Sequence, residues 1–108
     1  METVHLFISG KVQGIGYRQF IKSFARKNSV FGWVQNLPDG RVEVVLQGSR
    51  SLRFHADDES SSERAGQAKE AIEKMIELCR KGPFLAEVKE ITVGNEDTNE
   101  RFSDFTIR

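Results

Sequence analysis

One stretch constrains this chain more than any other: Ser9-Gly10-Lys11-Val12-Gln13-Gly14-Ile15-Gly16-Tyr17-Arg18. It is entered from Val4-His5-Leu6-Phe7-Ile8, where Val4, Leu6 and Ile8 alternate with His5 and Phe7. That is the period of a strand with one strongly apolar face. It is left through Tyr17, Phe20, Ile21, Phe24 and Ala25, the spacing of a helix with a single apolar stripe. The glycines between them make a short strand-to-helix connection. Such a loop can turn its backbone N–H groups inward as a nest for an anion. The helix N-terminus adds unpaired donors and the positive end of its dipole. Arg18 adds a fixed charge with donors spaced to grip two phosphate oxygens at once. The stretch is therefore suited to a small phosphate or carboxylate cradle. From spacing alone, a plain tight turn carrying a solvated arginine fits equally well.

Two commoner phosphate loops are excluded. No Gly-Lys-Ser/Thr occurs, so the mononucleotide loop GxxxxGK[ST] is absent. The dinucleotide pattern GxGxxG fails because Gln19 stands where the third glycine belongs.

The rest of the chain reads as alternating strands and helices. Arg26, Lys27 and Lys22 fall opposite the apolar stripe, and Asn28 is a plausible left-handed stop for the first helix. Residues 30–36 and 41–47 read as strands joined by Leu37-Pro38-Asp39-Gly40, whose Asp-Gly is a strong hairpin signal. In the second of them Val42, Val44 and Leu46 mark a buried face, and Trp33 in the first reads as a packing residue. Residues 49–65 are polar, serine-rich and charged, and predict a mobile surface loop. Within it His55, Asp57, Asp58 and Glu59 lack the spaced oxygens and turn glycine of a calcium loop, so no metal is expected. Residues 67–81 predict a second helix with Ala68, Ala71, Ile72, Met75, Ile76 and Cys79 on its apolar stripe, ended by Gly82-Pro83. Cys79 on that stripe is a core residue rather than a nucleophile. Val88, Ile91 and Val93 mark a fourth strand, residues 94–101 a polar connection, and Phe105 and Ile107 a short last strand. The order βαββαβ with a terminal strand predicts a ferredoxin-like α/β (α+β) sandwich. Two helices would cover one face of a mainly antiparallel sheet. No repeat or boundary interrupts it, so 1–108 is expected to be one domain with an insertion at about 49–65.

Bulk properties narrow the function. Lysine plus arginine equals aspartate plus glutamate at 16 each, which argues against a dedicated nucleic-acid binder. One cysteine permits no intrachain disulfide. No leader pattern or membrane-length apolar run is present, so a cytoplasmic protein is expected. An RNA-recognition domain shares the element order, but its aromatic-rich strand motif is absent.

Gly10-Lys11-Val12-Gln13-Gly14-Ile15-Gly16-Tyr17-Arg18 resembles the acylphosphatase signature G-x-V-Q-G-V-G-[FY]-R, with Ile15 a conservative departure. Gly32-Trp33-Val34-Gln35-Asn36 and Asp39-Gly40-Arg41-Val42-Glu43 resemble that family's G-W-V-x-N and D-G-x-V-E. The second helix with its following strand, and the closing Phe102-Ser103-Asp104-Phe105-Thr106-Ile107, are similar to the family's as well. The segment 49–65 departs from it. The resemblance implies hydrolysis of acyl phosphates to a carboxylate and inorganic phosphate, with no cofactor and no metal. It implies that Arg18 and the backbone N–H groups of Gln13, Gly14, Ile15, Gly16, Tyr17 and Arg18 hold the phosphoryl group. It also implies that Asn36 holds the attacking water, although by itself Asn36 reads as a turn-forming residue before Leu37-Pro38. The expected partner is a small acyl phosphate, with no nucleic acid and no membrane, and a monomer. The alternative is a non-catalytic phosphate-binding module of the same fold. The short chain argues against a multidomain carbamoyl-transfer enzyme.

Overall fold

The computed structural model describes residues 3–48, 60–95 and 100–108, with side chains in the second helix from residue 69 onward. The elements are β1 (Thr3–Lys11), α1 (Tyr17–Lys27), β2 (Val30–Asn36), β3 (Val42–Gly48), α2 (Ser60–Lys81), β4 (Glu87–Asn95) and β5 (Phe105–Ile107). They form one sheet in the order β4-β1-β3-β2-β5. Every pairing is antiparallel except β2 with β5, which run parallel. This is the ferredoxin-like arrangement, with β5 added beside β2.

Alternation along the strands decides where the helices pack. Val4, Leu6, Ile8, Val30, Val34, Val42, Val44 and Leu46 occupy one face, and Tyr17, Ile21, Ala25, Ile72, Met75 and Cys79 of the two helices close over it. Leu6, Ile8, Ile21, Val34 and Met75 have no exposed surface, so truncating a large one to alanine costs about 2–5 kcal/mol. Phe20 and Phe24 lie at the core's edge with ring centroids 4.9 Å apart. Cys79 is fully buried, and burial pushes its thiol up to about 12.

The helix-free face is more covered than the alternation predicts. Val45 and Gln47, expected to be exposed, are buried. Gln47 tolerates this because its amide is fully used: Nε2 donates to Thr3 Oγ1 (3.1 Å) and to the Glu100 carbonyl (2.9 Å), and Oε1 accepts from Phe102 N–H (2.9 Å). Trp33 is a packing residue, but on this face, under the Arg108 guanidinium at 4.2 Å and beside His5. His5 stacks on Phe7 and pairs with Glu43 at 2.5 Å.

Several boundaries differ from expectation. α2 begins at Ser60, inside the segment read as a loop; Glu63, Arg64, Ala65 and Gln67 are good helix formers despite the serines before them. Residues 49–59, including His55, Asp57, Asp58 and Glu59, lie outside the described residues. β3 starts at Val42 rather than at residue 41. β4 runs on through Gly94 and Asn95 because His5 and Val4 pair with them. Asn28 is not left-handed, with φ −101°. It ends α1 by donating Nδ2–H to the Phe24 carbonyl (2.8 Å), and the left-handed turn falls on Ser29, φ 58°.

Candidate active site

The connection from β1 to α1 spans residues 12–16. Gly14 (φ 78°) and Gly16 (φ 81°) both take the left-handed conformation, which non-glycine residues rarely adopt. A Cβ on either would meet no protein atom within 4 Å. The requirement there is the backbone angle, not room against the protein. Gly16 is also the N-cap of α1, and it makes no side-chain capping bond. The first helical bond runs from Phe20 N–H to the Gly16 carbonyl (3.0 Å). The N–H groups of Tyr17, Arg18 and Gln19 therefore precede the first helical donor and have no intrahelical acceptor.

The charge pattern of this helix end is inverted. Helices favour acidic side chains in the first turn and basic ones in the last. α1 has no acid in its first turn, and Arg18 stands there instead. Among the described residues, no carboxylate pairs with Arg18. An uncapped helix start carrying an unpaired guanidinium is a concentration of positive charge that an anion would relieve.

Asn36 faces it from another strand. It is the last residue of β2, pairs with Val42, and shares the helix-covered face with Val34. Its side-chain oxygen Oδ1 is buried without a hydrogen-bond partner among the described residues. Buried polar atoms are almost always satisfied, and an orphan needs an explanation. Asn36 lines a depression of about 150 Å³ together with Val12, Gly14, Gly16, Tyr17, Arg18, Gln19 and Ile107. That is smaller than the sites that take drug-sized ligands, which run from about 300 Å³. It suits a phosphoryl-sized group and a water rather than a nucleotide. A larger groove of about 300 Å³ runs beside Lys74, Glu77, Leu78, Arg80 and Lys81 of α2. It gathers no orphaned polar atom and no helix start, so the smaller depression is the better candidate.

The structure thus brings Gly14, Gly16, Tyr17, Arg18 and Asn36 to one place. The side chains of the neighbouring loop residues, expected to contribute only backbone N–H groups, point elsewhere. Ile15 packs against the core, and Gln13 is turned to the hairpin. Tyr17 contributes to the lining, but its hydroxyl donates to the Cys79 carbonyl (2.5 Å) in the interior. Burial raises the Tyr17 phenol well above its ordinary value, so it stays neutral. Val12, Gln19 and Ile107 line the depression without having been singled out. The helical register, which places Gln19 beside Arg18 in the first turn, was the available signal for it. Among the described residues, Arg18 is the sole ionisable group in the lining besides Tyr17.

Comparison with known proteins agrees with this fold. The acylphosphatase family model matches residues 4–56, which cover β1 from its second residue, the glycine-rich connection, α1 and the β2–β3 hairpin. An acylphosphatase of Bordetella parapertussis is 39% identical over 105 residues, covering 97% of this chain and 92% of its own length. One of Pyrobaculum arsenaticum is 41% identical over 108 residues, covering 99% and 94%.

The chain belongs to the acylphosphatase family.

Acylphosphatase activity, a hydrolase reaction, follows from relatives matched along nearly their whole length. The crystal structure of acylphosphatase from Bacillus subtilis superposes with a TM-score of 0.79 at 27% identity, covering all of this chain and 99% of the other. The family's fold therefore extends to β4 and β5, beyond the residues that the family model matches. No helix among the described residues is long and apolar enough to cross a membrane.

Proposed function

We propose that this acylphosphatase works by metal-independent, in-line attack of water on the phosphorus of an acyl phosphate. The cradle and Arg18 hold the phosphoryl group, and Asn36 holds the water. The observation that carries this reading is the orphaned Asn36 Oδ1, buried in the same small depression as the uncapped start of α1 and the unpaired Arg18.

Phosphoryl transfer asks little covalent chemistry of the protein; positioning and stabilisation of the equatorial oxygens dominate. The backbone N–H groups of residues 13–18 and the Arg18 guanidinium supply that stabilisation. The Asn36 amide accepts a hydrogen bond from the water through Oδ1 and can also donate through Nδ2, which fixes the water opposite the leaving oxygen. Attack forms the new P–O bond as the bond from phosphorus to the acyl oxygen breaks. The carboxylate leaves with the bonding electrons. It is a weak base and needs no general acid. The water's proton passes to a non-bridging phosphoryl oxygen, so a site without a His, Cys or carboxylate base suffices. Both halves of the site come from one chain, which supports a monomer. The balanced charge supports small acyl phosphates rather than nucleic acid as partners, in the cytoplasm.

The test is hydrolysis of benzoyl phosphate in the presence of a chelator. Turnover that resists the chelator and is inhibited by inorganic phosphate is expected. Arg18→Ala should lower turnover by about 10²–10³-fold, as for loss of a strong transition-state donor, and should abolish phosphate inhibition. Binding of phosphate without any turnover by the unmodified chain would favour a non-catalytic binding module.

A further inference from the structure

Gln13 lies in the cradle loop, yet its side chain is turned to the hairpin. Its Nε2 donates to the Leu37 carbonyl (2.9 Å) and to the Arg41 carbonyl (2.9 Å). A primary amide nitrogen carries two hydrogens, and both are used here. The two acceptors form the neck of the β2–β3 hairpin, where Leu37 N–H also donates to the Arg41 carbonyl (2.8 Å). Leu37 directly follows Asn36.

The sheet order gives this contact its meaning. The cradle hangs from β1 and Asn36 ends β2, but β3 lies between those strands. No ladder hydrogen bond joins the two strands that carry the two halves of the site. Asn36 Oδ1 has no partner of its own among the described residues. The placement of the amide relative to the cradle therefore depends on where the hairpin neck sits. Gln13 ties that neck directly to the loop.

We infer that Gln13 is a positioning residue: by clamping Leu37 and Arg41 to the cradle loop, it holds Asn36 in line with the bound phosphoryl group. This rests on the reading of Asn36 as the residue that holds the water. It separates two jobs within a stretch expected to serve only as phosphate-binding backbone. The backbone and Arg18 bind, while the Gln13 side chain sets the distance between binding and attack. A misplacement of about 1 Å in such a geometry costs about 10²-fold in rate.

The experiment replaces Gln13 with methionine, which keeps the length and removes both donors. kcat, KM and the phosphate inhibition constant are measured on benzoyl phosphate beside a urea denaturation curve. kcat is expected to fall about 10–100-fold, with phosphate inhibition changed by less than about threefold, since the donors to phosphate remain. In an Asn36→Ala background the same change should lower kcat by less than about threefold, because coupled residues are not additive. Should Gln13→Met not fold, Gln13→Asn is read in the same way; it keeps both hydrogens on a stem one carbon too short. Unchanged kcat, a matching loss of phosphate affinity, or a full additional loss on top of Asn36→Ala would each overturn the clamp. If Asn36→Ala itself keeps full turnover, the water-holding reading fails, and the clamp fails with it. If Asn36→Ala loses turnover but Gln13→Met does not, the clamp alone is wrong.

Discussion

A single orphaned oxygen decides how the site is read at the residue scale. Asn36 Oδ1 is buried and has no hydrogen-bond partner among the described residues, and leaving such an acceptor without a bond costs about 1–3 kcal/mol. A protein keeps that cost where a ligand or water relieves it. Asn36→Leu should therefore not destabilise the fold as an ordinary polar-to-apolar change at a satisfied site would. Its urea midpoint is expected at or above that of the unmodified chain, while turnover is lost. The lining also predicts a pH profile. His5 sits on the helix-free face, paired with Glu43, and is not among the residues that line the depression. Activity should then follow the ionisation of the substrate's own phosphoryl group, and His5→Gln should not move the profile between pH 5 and 8; a lost limb near neutrality would implicate a histidine base. Arg18 was legible in the sequence because the glycine spacing and the charge at a helix start point to an anion. Asn36 was not legible without the resemblance, since its type and position equally suit a turn. The reach of the Gln13 side chain was not legible, because no local pattern reveals a contact 24 residues along the chain to Leu37.

At the scale of elements, the cradle is built by conformation and the sheet by contact, and glycine substitutions tell the two apart. Gly16→Ala meets no atom within 4 Å but must hold φ 81°, a strain of about 1–2 kcal/mol. Gly32 lies inside β2 at φ 134°, and a Cβ there would collide with the Val45 carbonyl across the ladder. Gly32→Ala should therefore cost clearly more in a urea titration than Gly16→Ala, while Gly16→Ala should damage phosphate binding more. Equal effects on both readouts would contradict the distinction. Strand and helix identities were readable because periods of two and 3.6 separate cleanly along this chain. The start of α2 was not, since serines resemble loop composition even where Glu63 to Gln67 can carry a helix. The burial of Gln47 was hidden for another reason: the chain before β5 reaches it through Glu100 and Phe102, and alternation within β3 says nothing about that.

Over the whole molecule, stability and catalysis draw on different parts. Burial raises the Cys79 thiol from its ordinary 9.0 to about 12, and the Tyr17 phenol also shifts upward. The unfolded chain then binds fewer protons than the folded one above pH 9, so stability should fall as pH rises from there. Cys79→Ala should lower the overall stability but flatten that slope between pH 9 and 10. At the acid end the signs reverse. Asp104 is held below the usual carboxylate range by the Phe105 N–H and then by Arg26, and Asp39 by Arg41. Both favour the fold at neutral pH, and their contributions fade as pH falls through the lowered values. The proposed mechanism instead joins the β1–α1 connection to the end of β2, two places brought together by the complete sheet. The most direct test of that junction compares the unmodified chain with Asn36→Ala on benzoyl phosphate, measuring kcat and inhibition by inorganic phosphate. kcat is expected to drop by at least about 10²-fold while phosphate inhibits the residual activity within about threefold of its original potency. Undiminished turnover, or a loss of phosphate affinity as large as the loss of turnover, would contradict the water-holding role of Asn36.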